Sequence, residues 1–356
     1  MGITYIENFA AWASISSSPS EVDAMTNIGG QLSIQAGNRA GSSCMRGSYV
    51  NNSFSWYHKN LLRTASTVWV TWRSSCDVAP GGSTCNSLFQ LQENGGPTHV
   101  IIGYTPNYEL CAYNHNKTVQ YGKGPILTQL AWHQFVAKVF ISDTVGTIEI
   151  RMDGIATPII NLTGLDTRNG GAGNISRIVV GEPNAVPWLV NALPTQTRIM
   201  DIAVWDNDGN SPSGWVGDVR VDDYTPSGAG SSTQWTPLSG TNYSQVYEAA
   251  ADYDTTYVYT TTNGYIDLYP TADITHNPPN IYSVSANVVA KKVDAGTAQL
   301  KTKLVSGATT STGTAETLTM GTYLRYYTHY GANPDTATAW TVATVNAVEV
   351  GFEAVL

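Results

Sequence analysis

Charge is the scarcest commodity in this sequence of 356 residues: Asp, Glu, Lys and Arg together make 13% of it, with Lys and Arg only 18, about half the usual share of a soluble protein. Without clusters of Lys and Arg, and with a formal net charge of -9, the counterion-release term behind most nucleic-acid affinity is missing, which excludes DNA or RNA as the main partner. Long apolar runs are also absent, so nothing approaches the ~20 residues needed for a membrane-spanning helix. The first ten residues (MGITYIENFA) lack a basic stretch followed by an apolar core, so neither membrane insertion nor classical secretion is expected. Helix-building Lys, Glu, Leu and Ala give way to Ser and Thr beside 33 Gly and 16 Pro. What is present is aromatic: 10 Trp and 20 Tyr in a chain that is 42% hydrophobic supply ample core surface and exclude disorder.

A period of two runs through the chain. Val68, Val70 and Trp72 share one face while Trp69, Thr71 and Arg73 share the other. Phe135, Ala137, Val139 and Ile141 alternate with Val136, Lys138 and Phe140, and Ile148, Ile150 and Met152 oppose Glu149, Arg151 and Asp153. Residues 200–205 read as a further strand in the same way. These are half-buried antiparallel strands. Residues 210–232 are rich in Ser, Pro, Gly and Asp and mark a connector with a short apolar patch at 216–221. Beyond it, Val284, Ala286, Val288 and Ala290 predict one arm of a long hairpin whose return arm carries Ala298, Leu300, Thr302 and Leu304, with the turn at Asp294-Ala295-Gly296. A last strand places Val348, Val350, Phe352 and Ala354 inward. Only residues 20–26 and 340–346 suit helices. The expected fold is all-β, with two jelly-roll β-sandwich domains in tandem: 1–209, a connector 210–232, and 233–356.

Particular runs add a resemblance. Trp132-His133-Gln134-Phe135, the strand ending at Asp153-Gly154, the segment Leu162-Thr163-Gly164-Leu165-Asp166-Thr167-Arg168-Asn169, and Met200 to Asp206 (MDIAVWD) resemble the laminin-G/concanavalin-A-like jelly rolls of tailed-bacteriophage structural proteins. Gly217-Asp218-Val219-Arg220-Val221, Gln234-Trp235-Thr236-Pro237 and Val345-Asn346-Ala347-Val348-Glu349 are similar to their continuation. The resemblance implies a non-enzymatic virion component, such as a tail, neck or head fibre or a decoration subunit, without a required cofactor. Its partners would be other virion proteins and copies of itself, a trimer suiting a fibre. A virion protein is released by lysis, which reconciles an exposed-type composition with the missing export signal; the N-x-S/T matches at Asn51, Asn116, Asn161, Asn174 and Asn242 are then incidental.

Several constellations admit chemical readings. Cys76 and Cys85 bracket a Pro/Gly-rich loop, where a disulfide would remove roughly 2.5–3 kcal/mol of unfolded-chain entropy; buried free thiols are the alternative for these and for Cys44 and Cys111, and zinc spacing is missing. Asp206, Asp208 and Asn210 alternate oxygen ligands as a Ca2+ loop does at its start, or else form an ordinary Asp-Gly turn. Glu149, Arg151 and Asp153 read as a self-neutralising strand face, and His133 as structural. Trp188, in a Pro-punctuated loop, and Tyr104, Tyr108, Tyr113 and His115 offer aromatic faces for a host-surface glycan or for a neighbouring subunit. With neither a clustered acid pair nor a His/Tyr/Arg set legible in the sequence, a non-enzymatic structural role is expected first, a glycan-binding adhesin second and a polysaccharide depolymerase third.

Overall fold

The computed structural model describes residues 3–7, 9, 24–27, 32–39, 42–48, 55–76, 85–181, 196–206, 212 and 214–356. Fifteen strands occupy the described part up to residue 206: β1 (Ile3–Glu7), β2 (Ala24–Asn27), β3 (Leu32–Ala36), β4 (Ser43–Ser48), β5 (Ser55–Ala65), β6 (Thr67–Cys76), β7 (Asn86–Gln92), β8 (Thr98–Tyr104), β9 (Glu109–Tyr113), β10 (Gln120–Ile126), β11 (His133–Phe140), β12 (Gly146–Met152), β13 (Ile160–Leu165), β14 (Ile175–Gly181) and β15 (Gln196–Asp206). They form two antiparallel sheets. The first runs β13-β12-β11-β6-β15-β4-β3 with β1 also on β15, and the second runs β10-β9-β8-β7-β14-β5-β2.

The period-two faces decide how these sheets meet. Val68, Val70 and Trp72 of β6 and Phe135, Ala137 and Val139 of β11 face Phe89 and Leu91 of β7, Val100 and Ile102 of β8, and Ile178 and Val180 of β14 in one sandwich core. Trp72 is at its centre, stacked on Phe135 with centroids 5.2 Å apart and edge-on to Phe89 at 4.8 Å. At β15 the alternation expected over residues 200–205 is interrupted. A bulge falls between Met200 and Ala203, and Asp201 takes a φ of 52°. Ile199 and Ile202 both reach the core across it, because an inserted residue resets the alternation of faces.

The later strands are β16 (Thr236–Pro237), β17 (Val258–Tyr259), β18 (Ile266–Pro270), β19 (Val284–Ala290), β20 (Gln299–Ser306), β21 (Thr309–Thr312), β22 (Glu316–Thr317), β23 (Leu324–Tyr330) and β24 (Glu349–Val355), with one short helix, α1 (Val342–Asn346). A five-stranded sheet is built on β18-β24-β20-β21 with β22 on β20; β19 pairs with β23, and β16 with β17. No described strand after residue 235 pairs with one before 207. The long hairpin expected between residues 284–290 and 298–304 does not form. β19 pairs instead with β23, whereas β20, with Leu300, Thr302 and Leu304 all buried, fits between two partners, β24 and β21. The expected helix at 340–346 is α1, held by a capping box between Thr341 and Thr344. In the other expected helix, 20–26, the described residues from Ala24 onward belong to strand β2. The structure is nearly all β, as expected. Among the described residues, no helix is long and apolar enough to cross a membrane.

The apolar patch of the connector forms no strand. Val216 packs on Trp69, Trp205 and Val136 on the outer face of the first sheet, joined by Trp215, Val219 and Tyr282. This docking brings the second half of the chain against the first.

Candidate functional site

The aromatic cluster expected from the sequence does not assemble. Strand alternation sends Tyr104 into the sandwich core, where its hydroxyl meets the Ser74 Oγ at 2.8 Å and burial pushes its phenol up; it is closed to any ligand. Tyr113 faces the opposite way and is buried on the outer side of the second sheet, its phenol pushed up to about 12 mainly by desolvation. Tyr108 is half-buried against the core, and His115 is exposed in the turn after β9. Trp188, Asp208 and Asn210 lie outside the described residues. Asp206 accepts from Arg63 Nη2 at 3.0 Å. Among the described residues, no group of three or more His, Cys, Asp or Glu is arranged to hold a metal. Arg151 reaches Glu149 at 2.8 Å and stacks over Trp215 at 3.9 Å, while Asp153 takes His133 Nδ1 at 2.7 Å; this strand face neutralises itself. All four cysteines are buried and none is in a disulfide. Cys76 lies in the sandwich core, and Cys85 packs beside Cys111 on the outer side of the second sheet.

Among the described residues a cleft of about 1710 Å3 opens, larger than the ~300–1,000 Å3 of small-molecule pockets. Its floor is apolar, with Leu300, Val350 and Phe352 from β20 and β24. At one end, Arg220, Asp222 and Tyr224 stand at alternate positions of the connector and His276 comes from a separate segment; all four line the cleft. Asp222 accepts from Arg220 Nε, and its Oδ2 lies 3.4 Å from His276 Nε2. The Tyr224 phenol is pushed up by desolvation and then by the Asp222 charge, with Arg220 pulling the other way. Tyr224 therefore keeps its proton at neutral pH, which makes it a donor and not a base.

The bulge of β15 holds this end in place. Asp201 is fully buried; its Oδ1 accepts from Val221 N at 3.1 Å and its Oδ2 from Arg39 Nη1 at 2.8 Å. Arg39 also donates to Val219 O at 2.8 Å and to Asp218. The backbone is thus gripped on both sides of Arg220. Desolvation raises the Asp201 carboxyl to about 6 against the pull of Arg39 and the Val221 N–H.

A second part of the lining is aromatic. Tyr253, at a φ of 61°, lies 5.2 Å from Tyr323, and Tyr257 lies 6.1 Å from Tyr259. Lys291 Nζ sits 4.4 Å over the Tyr323 ring, and Asp254 accepts from Lys291 at 2.6 Å and from the Tyr323 hydroxyl at 3.0 Å. Such rings present flat apolar faces above a polar rim, the surface on which sugar rings stack. Sequence reasoning missed this site because its residues lie in segments without periodicity, and only folding brings His276 to Asp222.

The sequence matches no known protein family and no curated protein. Among solved structures the chain is similar to the alginate lyase Aly36B (10% identity over 62% of this chain and 98% of that one, TM-score 0.39). It is also similar to a glycoside hydrolase family 131 β-glucanase catalytic domain from Podospora anserina (7%, 61% and 98%, TM-score 0.36) and to a family 131 catalytic domain from Coprinopsis cinerea (10%, 49% and 74%, TM-score 0.32). At these scores the likeness is one of fold and assigns no residue. These neighbours are polysaccharide-cleaving enzymes and not virion proteins, so the expected non-enzymatic virion subunit finds no support among them and is not carried further. Arg220, Tyr224 and His276, a combination the sequence did not display, line the same cleft as Asp222.

Proposed function

We propose that this protein is a polysaccharide depolymerase that binds an extended glycan along the cleft and breaks it at the Arg220–Asp222–Tyr224–His276 end. The observation that carries the reading is a carboxylate, Asp222, met by a guanidinium and an imidazole in a cleft that a protonated phenol, Tyr224, also lines. Glycoside hydrolysis asks for two carboxylates placed across the scissile bond, and Asp222 is engaged by Arg220 and His276. β-Elimination on a uronate-containing chain fits the set better. Arg220 faces the sugar carboxylate and steadies the charge that develops there. His276, oriented by Asp222, takes the proton on the carbon next to that carboxylate. The bond from the neighbouring carbon to the glycosidic oxygen breaks as a carbon–carbon double bond forms, and Tyr224 gives its proton to the departing oxygen. The tyrosines of the aromatic part hold the chain by stacking, which also supports a second reading in which the cleft grips glycan as an adhesin does.

The test is turnover on a panel of uronate-containing and neutral polysaccharides, followed by the ultraviolet absorbance of the new double bond. His276→Ala and Tyr224→Phe are each expected to slow cleavage by roughly 10²–10⁴-fold, the usual contribution of a positioned acid or base, while both variants keep the parent melting temperature. Undiminished cleavage by both variants would place the chemistry elsewhere.

A further inference from the structure

Cys85 and Cys111 belong to no part of the cleft, yet the fold brings them together from a distance in sequence. Cys111 lies on β9 and pairs with Gly103 of β8, while Cys85 immediately precedes β7, on the far side of β8. Two side chains separated by an intervening strand ordinarily do not meet, since neighbouring strands stand about 4.8 Å apart. Gly103 removes the obstacle. A Cβ built there would stand 2.6 Å from Cys85 Sγ and would also strike the Asn86 carbonyl. The Cys85 thiol therefore occupies the place of the missing side chain, and the Cys111 thiol donates to Gly103 O at 3.3 Å. Both thiols are buried, with Ile101 and Tyr113 as neighbours, in a small cluster apart from the main core. They interact with each other as well, the Cys111 thiol being pushed up by burial and then by Cys85.

We propose that Cys85 and Cys111 form a disulfide across β8 when the protein meets an oxidant, and that Gly103 exists at its position to admit the bridge. The oxidant is a low-molecular-weight disulfide such as oxidised glutathione. One cysteine thiolate attacks a glutathione sulfur and expels a glutathione thiolate. The second cysteine thiolate then attacks the first cysteine's sulfur, and a second glutathione leaves. Two protein thiols give up two protons and two electrons, and one glutathione disulfide is reduced to two thiols. The bridge closes the β7–β9 meander on itself and leaves Cys76, in the sandwich core, out of the pairing.

The experiment is refolding of the full chain with a reduced and oxidised glutathione pair, followed by thiol counting in denaturant and mapping without reductant. Trypsin leaves Cys76, Cys85 and Cys111 in a single peptide, because no Lys or Arg lies between Arg73 and Lys117; adding Glu-C and Asp-N separates residues 77–93 from 110–117 and both from Cys76. The expected result is two free thiols in place of four and a reductant-sensitive link between peptides 77–93 and 110–117. Cys76→Ser keeps that link with one free thiol remaining, and Cys111→Ser abolishes it. Four free thiols at saturating oxidant, or a link from Cys85 to Cys76, would overturn the proposal; should Cys111→Ser fail to fold, the Cys76→Ser result decides alone.

Discussion

Burial shifts the proton equilibria of both Asp201 and His329, and the two act on stability with opposite signs. The Asp201 carboxyl is raised from 3.8 to about 6 by desolvation. Between those values the folded state holds a proton that the unfolded state has lost, so this residue makes stability fall as pH rises, by about 3 kcal/mol across the window. His329, on β23, is buried and neither ring nitrogen has a hydrogen-bond partner among the described residues. Desolvation lowers it from 6.5 to about 3, so here the unfolded state takes the proton and stability is lost as pH falls below 6.5. The two slopes oppose each other between pH 4 and 6. Melting temperatures measured against pH should separate them: Asp201→Asn removes the gain on the acid side and leaves a steeper acid loss than the parent shows, whereas His329→Phe removes the loss. Identical pH profiles for parent and both variants would refute these assignments. No single-residue signal in the sequence marks Tyr224 and His276 either, because a tyrosine and a histidine in irregular segments look like any others until folding sets them in one cleft.

Elements were legible where both faces of a strand obey one rule. β6, β11 and β12 show alternation without interruption, and each takes the face that its apolar set demands. β15 was readable as a strand, but its bulge was not, because one inserted residue leaves the local composition unchanged while exchanging the faces of the residues after it. Partner choice was less legible still: the nearest turn in the sequence sets β19 beside β20, and the structure pairs β19 with the Tyr-rich β23. Period-two patterning defines a face and says nothing about the neighbour. Two substitutions test the element scale by chemical denaturation. Trp72→Ala, which empties the aromatic centre between the sheets, should cost about 3–5 kcal/mol, and Thr341→Ala, which removes the α1 cap, should cost about 1 kcal/mol. A Trp72→Ala loss no greater than the Thr341→Ala loss would contradict the placement of Trp72 at the core.

At the scale of the whole molecule, the earlier and later strands meet through side-chain contacts and, among the described residues, not through strand pairing. Val216 and Trp215 cover the outer face of the first sheet together with Tyr282 from the later half, Arg325 lies 3.5 Å from Glu7, and Lys59 sits 5.2 Å over Tyr327. The cleft is lined mostly by residues after 216, and the part proposed to cleave glycan is drawn from residues 220–224 and from the segment carrying His276. That is why the all-β class could be read from composition and period, while the cleft residues could not, and a depolymerase stood only third among the expected functions. The low charge that first excluded nucleic acid leaves walls of tyrosine and threonine, suited to a hydroxyl-rich chain. Bond cleavage in this cleft is proposed to be an elimination. Its most direct measurement is the mass of the products formed from a cleaved uronate polysaccharide in heavy-oxygen water. Unsaturated ends without incorporated label are predicted, and saturated ends carrying the label, or an intact polymer, would contradict the account.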